Sequence, residues 1–181
     1  MDRERAMKAV KELLSALGED VNREGLKDTP RRVADAFAEF TRGENDSAKD
    51  ALSTTFDVDG GDMVIEKDIE FSSTCEHHLM PFFGRVAIAY IPDKKVAGLS
   101  KLARCVEVFA RRLQLQERLT GQIAAAVMEH LSPKGVMVVC EAEHTCMTCR
   151  GVKKAGSKTV TYKVAGDFPK EKISEVLGLI K

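Results

Sequence analysis

Cys75-Glu76-His77-His78 packs a thiol and two imidazoles into four residues, and His144-Thr145-Cys146-Met147-Thr148-Cys149 supplies an imidazole and two thiols in six. The chain has only four histidines and five cysteines, and three of each fall in these two stretches. Thiolate and imidazole are ligands zinc prefers, and Cys75-x-x-His78 has the spacing of a zinc pair. If folding joins the stretches, Cys75, His78, Cys146 and Cys149 would close a tetrahedral structural site. With only three of them as ligands, a position stays open for water, which zinc acidifies to a pKa of about 7. Spacing leaves both arrangements open.

His77 and His144 bear on that choice. Each would be held beside the metal by a neighbouring ligand without needing to bind it, and histidine titrates near neutral pH. Two proton carriers beside an acidified water make a hydrolytic site. The blander alternative is that His77 faces solvent and His144 is a satisfied polar residue at a strand end.

Lys101 and Arg104 lie three residues apart on the first turns of a predicted helix after Gly98-Leu99-Ser100, so both can project to one side, and Arg150 follows the second cluster. Such cations suit phosphates, although exposed charge on a helix is common without a ligand. Glu117, at the start of the next helix, is favoured there by the helix dipole. A carboxylate in that place can also accept two parallel hydrogen bonds from a guanine N1–H and N2 amino group. Cys105, Cys140 and His130 fall on ordinary helix or strand positions and are given no function.

These residues need elements to hold them. Apolar positions Val10, Leu13, Leu14 and Leu17 predict an amphipathic helix ending at Gly18, and Thr29-Pro30 opens a second, with threonine as N-cap, that ends at Gly43. From Gly43 to Ser53 the chain turns polar and loses period, which reads as a linker. The domain reading is therefore an N-terminal helical section and linker over residues 1–53, then a body over 54–181.

In the body, Met63 to Ser73 reads as a strand leading into Cys75. Pro81 and Gly84 bracket a loop, and Val86, Ile88 and Tyr90 alternate in a second strand, giving a hairpin. Two helices follow, one capped by Ser100 and one starting near Gln116. Val136 to His144 is a third strand and, if the chain stays extended, puts Cys146 on the face of His144. Val160, Tyr162 and Val164 mark a fourth strand, and Pro169 opens a last helix. The order ββααββ predicts an α+β fold, an antiparallel sheet with helices on one face, whose open edges invite pairing with other subunits.

At 181 residues the chain can bury roughly 70% of its unfolded surface, so it needs no metal merely to fold. Lys+Arg and Asp+Glu are both 28, and that balance argues against nucleic acid or a membrane as partner. An odd cysteine count without a disulfide framework, a charged N-terminus and no run of about 18 apolar residues point to a soluble, cytoplasmic protein.

Five segments together carry a resemblance: GLKDTPRRV (Gly25 to Val33), CEHH (Cys75 to His78), GLSKLAR (Gly98 to Arg104), QERLT (Gln116 to Thr120) and EHTCMTCRG (Glu143 to Gly151). In this order they resemble GTP cyclohydrolase I, the zinc enzyme that opens pterin and folate biosynthesis. The resemblance implies zinc on Cys75, His78 and Cys146 with water in the fourth place, His77 and His144 as the acid/base pair, and Glu117 as the guanine anchor. It implies that Ser100 contacts the ribose-triphosphate and that Lys101, Arg104 and Arg150 hold the triphosphate, with Arg32 a further contributor. It also implies attack on C8 of GTP, ring opening, loss of formate and closure to 7,8-dihydroneopterin triphosphate, on a T-fold assembled as a homodecamer with sites between subunits. Cys149 is not needed for metal in that family, and the tail after Phe168 lacks the arginine-containing helix expected there. The competing functions are a binding module with a closed four-ligand zinc site and a T-fold hydrolase that stops at the formamide.

Overall fold

Asp2 opens the first helix, its carboxylate accepting the Arg5 backbone N–H at 3.0 Å, and α1 runs Arg3–Ala16 with Gly18 turning the chain at φ +84°. Helix α2 (Thr29–Phe40) packs on it, and Arg3 of α1 pairs with Asp35 of α2 at 3.2 Å. Pro30 sits in the first turn as expected, but Thr29 is not the cap. It already lies inside the helix, and its hydroxyl donates back to the Gly25 carbonyl. In this computed structural model, which describes residues 1–181, these helices belong to one unit, Met1–Arg42, and the rest of the chain, Gly43–Lys181, forms a second.

The polar stretch read as a linker is packed in part. A 3-10 turn (Arg42–Glu44) leads to α3 (Ala48–Ala51), where Ser47 caps through the Asp50 N–H, and Ala51 and Leu52 are buried in the main core. Ala48, Ala51 and Leu52 alone in a polar window are too few to register as a period.

Strands β1 (Thr55–Asp57), β2 (Val64–Cys75), β3 (Met80–Ile91) and β4 (Lys95–Ala97) follow, with β1 pairing β4 as a separate ribbon. Then come α4 (Leu99–Ala110), β5 (Leu113–Gln114), α5 (Gln116–Leu131), β6 (Gly135–His144), α6 (Thr145–Thr148), β7 (Lys158–Gly166) and α7 (Lys170–Leu179). The main sheet has the order β5-β2-β3-β6-β7, antiparallel except where β5 joins β2. The fold is mixed α+β. No helix is long and apolar enough to cross a membrane.

The expected hairpin forms, but its turn is not where proline and glycine suggested. Cys75 pairs with Met80, so the chain reverses within Glu76 to Leu79, and Pro81 and Gly84 lie inside β3. Leu79 takes φ +53°, and the His78 and Leu79 N–H groups both donate to the Cys75 carbonyl, which closes the turn. Gly84 is required by a neighbour instead: a Cβ there would stand 1.9 Å from the Glu141 carbonyl oxygen of β6.

One face of the sheet packs on α4 and α5. Phe71, Phe82, Val86, Ile88 and Tyr90 meet Leu102, Val106, Leu119, Ile123 and Val127, all buried. Ser100 does not cap α4; Gly98 holds that position without a side-chain bond. The opposite face is not bare, as the expectation of helices on one face had it. Alternate residues Ala87, Ala89, Met137 and Val139 are covered by Phe168, Ile173 and Val176 at α7. β7 also turns its apolar alternates away from the core, leaving Val160 57% and Tyr162 63% exposed, while Thr161 faces the helices.

Candidate functional site

Three segments of the chain meet at one end of the sheet. The β2–β3 turn brings Cys75 to His78. β5 runs parallel to the end of β2, with the Glu76 N–H donating to the Gln114 carbonyl, so the start of α5 lies beside that turn. β6 pairs Phe82 with His144 and then ends. The chain does not stay extended to Cys146 as expected. It coils into α6, and the Thr145 hydroxyl donates to the Pro81 carbonyl at 2.6 Å to fix that coil against β3.

The coil delivers Cys146. The Cys75 and Cys146 thiols and the His78 ring form a group whose ligand atoms all lie within 4.8 Å of one another. Zinc–sulfur and zinc–nitrogen bonds of about 2.3 and 2.0–2.1 Å at a tetrahedral angle put their donors about 3.6 Å apart. Cys75 Sγ and His78 Nδ1 stand 3.7 Å apart. Burial first, and then the nearby Cys75, push the Cys146 thiol above its ordinary pKa. Two thiolates at this range repel, and a divalent cation between them removes that penalty. The donor set therefore fits a soft divalent metal such as zinc. Cys149 is outside the group; exposed, it donates its S–H to the Thr145 carbonyl at 2.8 Å.

Around this group the structure gathers His77, whose ring meets His78 edge-on with centroids 6.1 Å apart, and His144, whose ring stacks on Phe82 at 4.5 Å and 7°. Burial holds the His144 pKa below the usual imidazole value, with the Glu117 carboxylate acting against it, which places Glu117 within electrostatic reach of that ring. Arg150 acts in the same way on Cys146. The CEHH turn is braced by Arg118. Its guanidinium pairs with Glu76, holding that carboxyl below its usual range, and also donates to Gln114 Oε1 and the Leu113 carbonyl.

Gln116, next to Glu117 and without a role in the sequence motifs' chemistry, is the centre of the buried polar network. Only 2% exposed, it donates through Nε2 to the carbonyls of Cys140 at 3.0 Å and Thr159 at 2.9 Å and lies 3.2 Å from Thr161 Oγ1. Its Oε1 meets His144 Nε2 at 2.8 Å. Leaving such an amide unpaired would cost about 1–3 kcal/mol. A signal was present: Gln116 extends the buried stripe of Leu119, Ile123 and Val127 back by one turn, and a polar residue on an apolar stripe asks for partners.

Ser100, Lys101 and Arg104 are not at this end. The start of α4 is tied to the far end of the sheet: Gly98 N–H donates to the Thr54 carbonyl, and Ala97 N–H donates to Tyr90 Oη at 3.1 Å. Only the other end of α4 nears the metal group, where Arg111 donates to Ser72 Oγ at 3.0 Å. Along α4, Lys101 and Arg111 are separated by about 15 Å at 1.5 Å per residue. Arg32 is in the Met1–Arg42 unit, on α2, where it pairs with Asp28 at 3.6 Å.

Matching sequences decide the family. The GTP cyclohydrolase I family model matches residues 6–181, nearly the whole chain. The chain belongs to the GTP cyclohydrolase I family. Relatives named GTP cyclohydrolase 1 include one from Clostridium perfringens, 56% identical over 93% of this chain and 91% of its own. Another, from Clostridium kluyveri, is 53% identical over 100% and 99%. A third, from Thermobifida fusca, is 56% identical over 93% and 82%. For a GTP cyclohydrolase I family member, the geometry above then separates what one chain brings to the site from what it holds elsewhere.

Proposed function

We propose that the protein is a zinc-dependent GTP cyclohydrolase I, converting GTP and water to formate and 7,8-dihydroneopterin triphosphate. The observation that carries this is the Cys75, His78 and Cys146 group with His144 at its side, in a chain of this family. Zinc on those three ligands, when bound, supplies a Lewis acid and a water acidified to a pKa of about 7. Glu117 accepts the guanine N1–H and N2 amino protons and so fixes the ring. His144, oriented by its hydrogen bond and by the Phe82 ring, and His77, held by the braced turn, give and take protons at the purine ring. Arg150 meets the phosphate end from the same chain.

Lys101, Arg104 and Ser100 complete the triphosphate site from a second copy, with Arg32 a further cation. The separation of the two ends of α4 supports this, because Arg150 lies at the metal end and a triphosphate is shorter than the distance of about 15 Å that parts that end from Lys101. The body, residues 54–181, is then a T-fold with its main elements in the order ββααββ, preceded by the N-terminal helical section over 1–53. The assembly is a ring-shaped homo-oligomer, a decamer as in the family, working in the cytoplasm.

Incubating zinc-loaded protein with GTP and measuring formate and pterin fluorescence tests the reaction. Both products are expected in equal amounts. Neither appearing overturns the reading, and a formylated intermediate accumulating without pterin replaces it with the truncated reaction.

A further inference from the structure

The Gln116–His144 contact has a chemical polarity that its neighbours define. Two backbone carbonyls, of Cys140 and Thr159, stand at 3.0 and 2.9 Å from Gln116 Nε2. Carbonyls only accept, so the amide must turn its NH2 toward them and its oxygen the other way. That oxygen is 2.8 Å from His144 Nε2. An amide oxygen also only accepts, so the ring nitrogen facing it must carry the hydrogen.

We propose that Gln116 is a positioning residue that holds His144 as the Nε2–H tautomer, so that Nδ1 is the ring nitrogen exchanging protons with the substrate. This rests on His144 being an acid/base residue of the proposed reaction. In the protonated ring both nitrogens carry hydrogen, and only the Nδ1 proton can leave without breaking the bond to Gln116. Giving it up returns the neutral Nε2–H ring, and taking one back restores the imidazolium, so the cycle balances without the buried amide moving. Phe82, stacked at 4.5 Å and 7° on the ring, fixes its plane, and Gln116 fixes its rotation in that plane. The amide is itself held from three sides, since Thr161 Oγ1 at 3.2 Å joins the two carbonyls. A side chain this constrained can select a tautomer as well as fill space.

Two measurements test it. Zinc-loaded protein labelled with ring-15N histidine has four histidines to resolve, and those of His144 are the signals missing from His144→Phe. In mildly alkaline buffer they should show Nε2 protonated and Nδ1 bare. The opposite tautomer overturns the proposal, whether or not GTP turns over. Gln116→Met keeps the shape and removes the acceptor. It should lower kcat at least about tenfold, change KM by less than about threefold, leave zinc content unchanged and give His144 mixed tautomers. An unchanged kcat in the folded, zinc-loaded variant overturns the proposal. If that variant does not fold, the wild-type spectrum decides. A wild type that releases neither formate nor pterin sinks the assigned reaction instead, and the spectrum still reports on the tautomer.

Discussion

The two ends of the main sheet hold different sets of the residues to which the proposed function gives chemistry. At the end where β2 turns into β3, two chain segments far apart in sequence bring Cys75, His78 and Cys146 together, and the polar groups beside them are braced by Gln116, Arg118 and Phe82. At the end where α4 begins, Lys101, Arg104 and Ser100 make no side-chain hydrogen bond or ion pair within the chain and stand beside a two-stranded ribbon. One end is a braced constellation, and the other is an exposed edge with two cations, to which the proposed function gives the triphosphate. What this teaches is that a motif's chemistry and its completeness within one chain are separate questions, decided by different contacts.

The largest effect should come from breaking the braced end. Cys146→Ala should weaken zinc binding by more than about a hundredfold, since losing even an outer-shell partner costs about 10–100-fold, and formate release should disappear with the metal. Cys149→Ala should retain stoichiometric zinc. Metal analysis after dialysis checks both, and loss of zinc in the second variant would restore the closed four-ligand site.

Next in size is a test of whether the two ends meet across chains. Assayed with GTP well below saturation, Glu117→Ala and Lys101→Ala should each lose most of the activity alone. Co-refolded in equal amounts they should recover roughly a quarter of wild-type activity, the share of sites that draw an intact residue from each neighbour in a head-to-tail ring. A mixture no more active than its parts would confine the site to one chain.

A smaller effect is expected from Lys101→Ala or Arg104→Ala on GTP binding itself. A charge-assisted hydrogen bond is worth about 1.5–3 kcal/mol, or roughly 10–100-fold in affinity, and its loss should flatten the dependence on salt because exposed charges are screened over about 8–10 Å. Equilibrium binding at two ionic strengths measures this, and unchanged affinity would remove those residues from the site.

The smallest effect separates the cysteines. Burial pushes the Cys105 and Cys140 thiols up to about 12, so at mildly alkaline pH both remain protonated and unreactive. In zinc-loaded protein, alkylation should therefore modify exposed Cys149 first and leave Cys105 and Cys140 untouched until unfolding. Early modification of Cys140, read by peptide mass, would contradict its buried place on β6 in the main core.

Much of this was legible in the chain. The hairpin, the two central helices and β6 follow from alternation and helical period, and the two ligand clusters stand out because soft ligands are rare elsewhere. Less legible was anything set by a distant neighbour. Cys146 comes to the metal group on a helical turn, which no period announces in four residues, and Gly84 is demanded by a carbonyl on another strand. The stretch from Gly43 to Ser53 hides the core residues Ala51 and Leu52 among polar ones. Gln116 carried a faint signal, a polar residue on an apolar stripe, without naming its partner.

The sequence by itself determined which atoms can bind metal and move protons, because those properties belong to side-chain type, and it determined the family through the joint order of five motifs. Tertiary structure decided which of those atoms meet. Strand register and the coil after β6 bring Cys75, His78 and Cys146 within 4.8 Å of one another. A rigid helix, rising about 1.5 Å per residue, keeps Lys101 away from them. Distances between segments far apart in the chain depend on packing, and packing is not written in any local pattern.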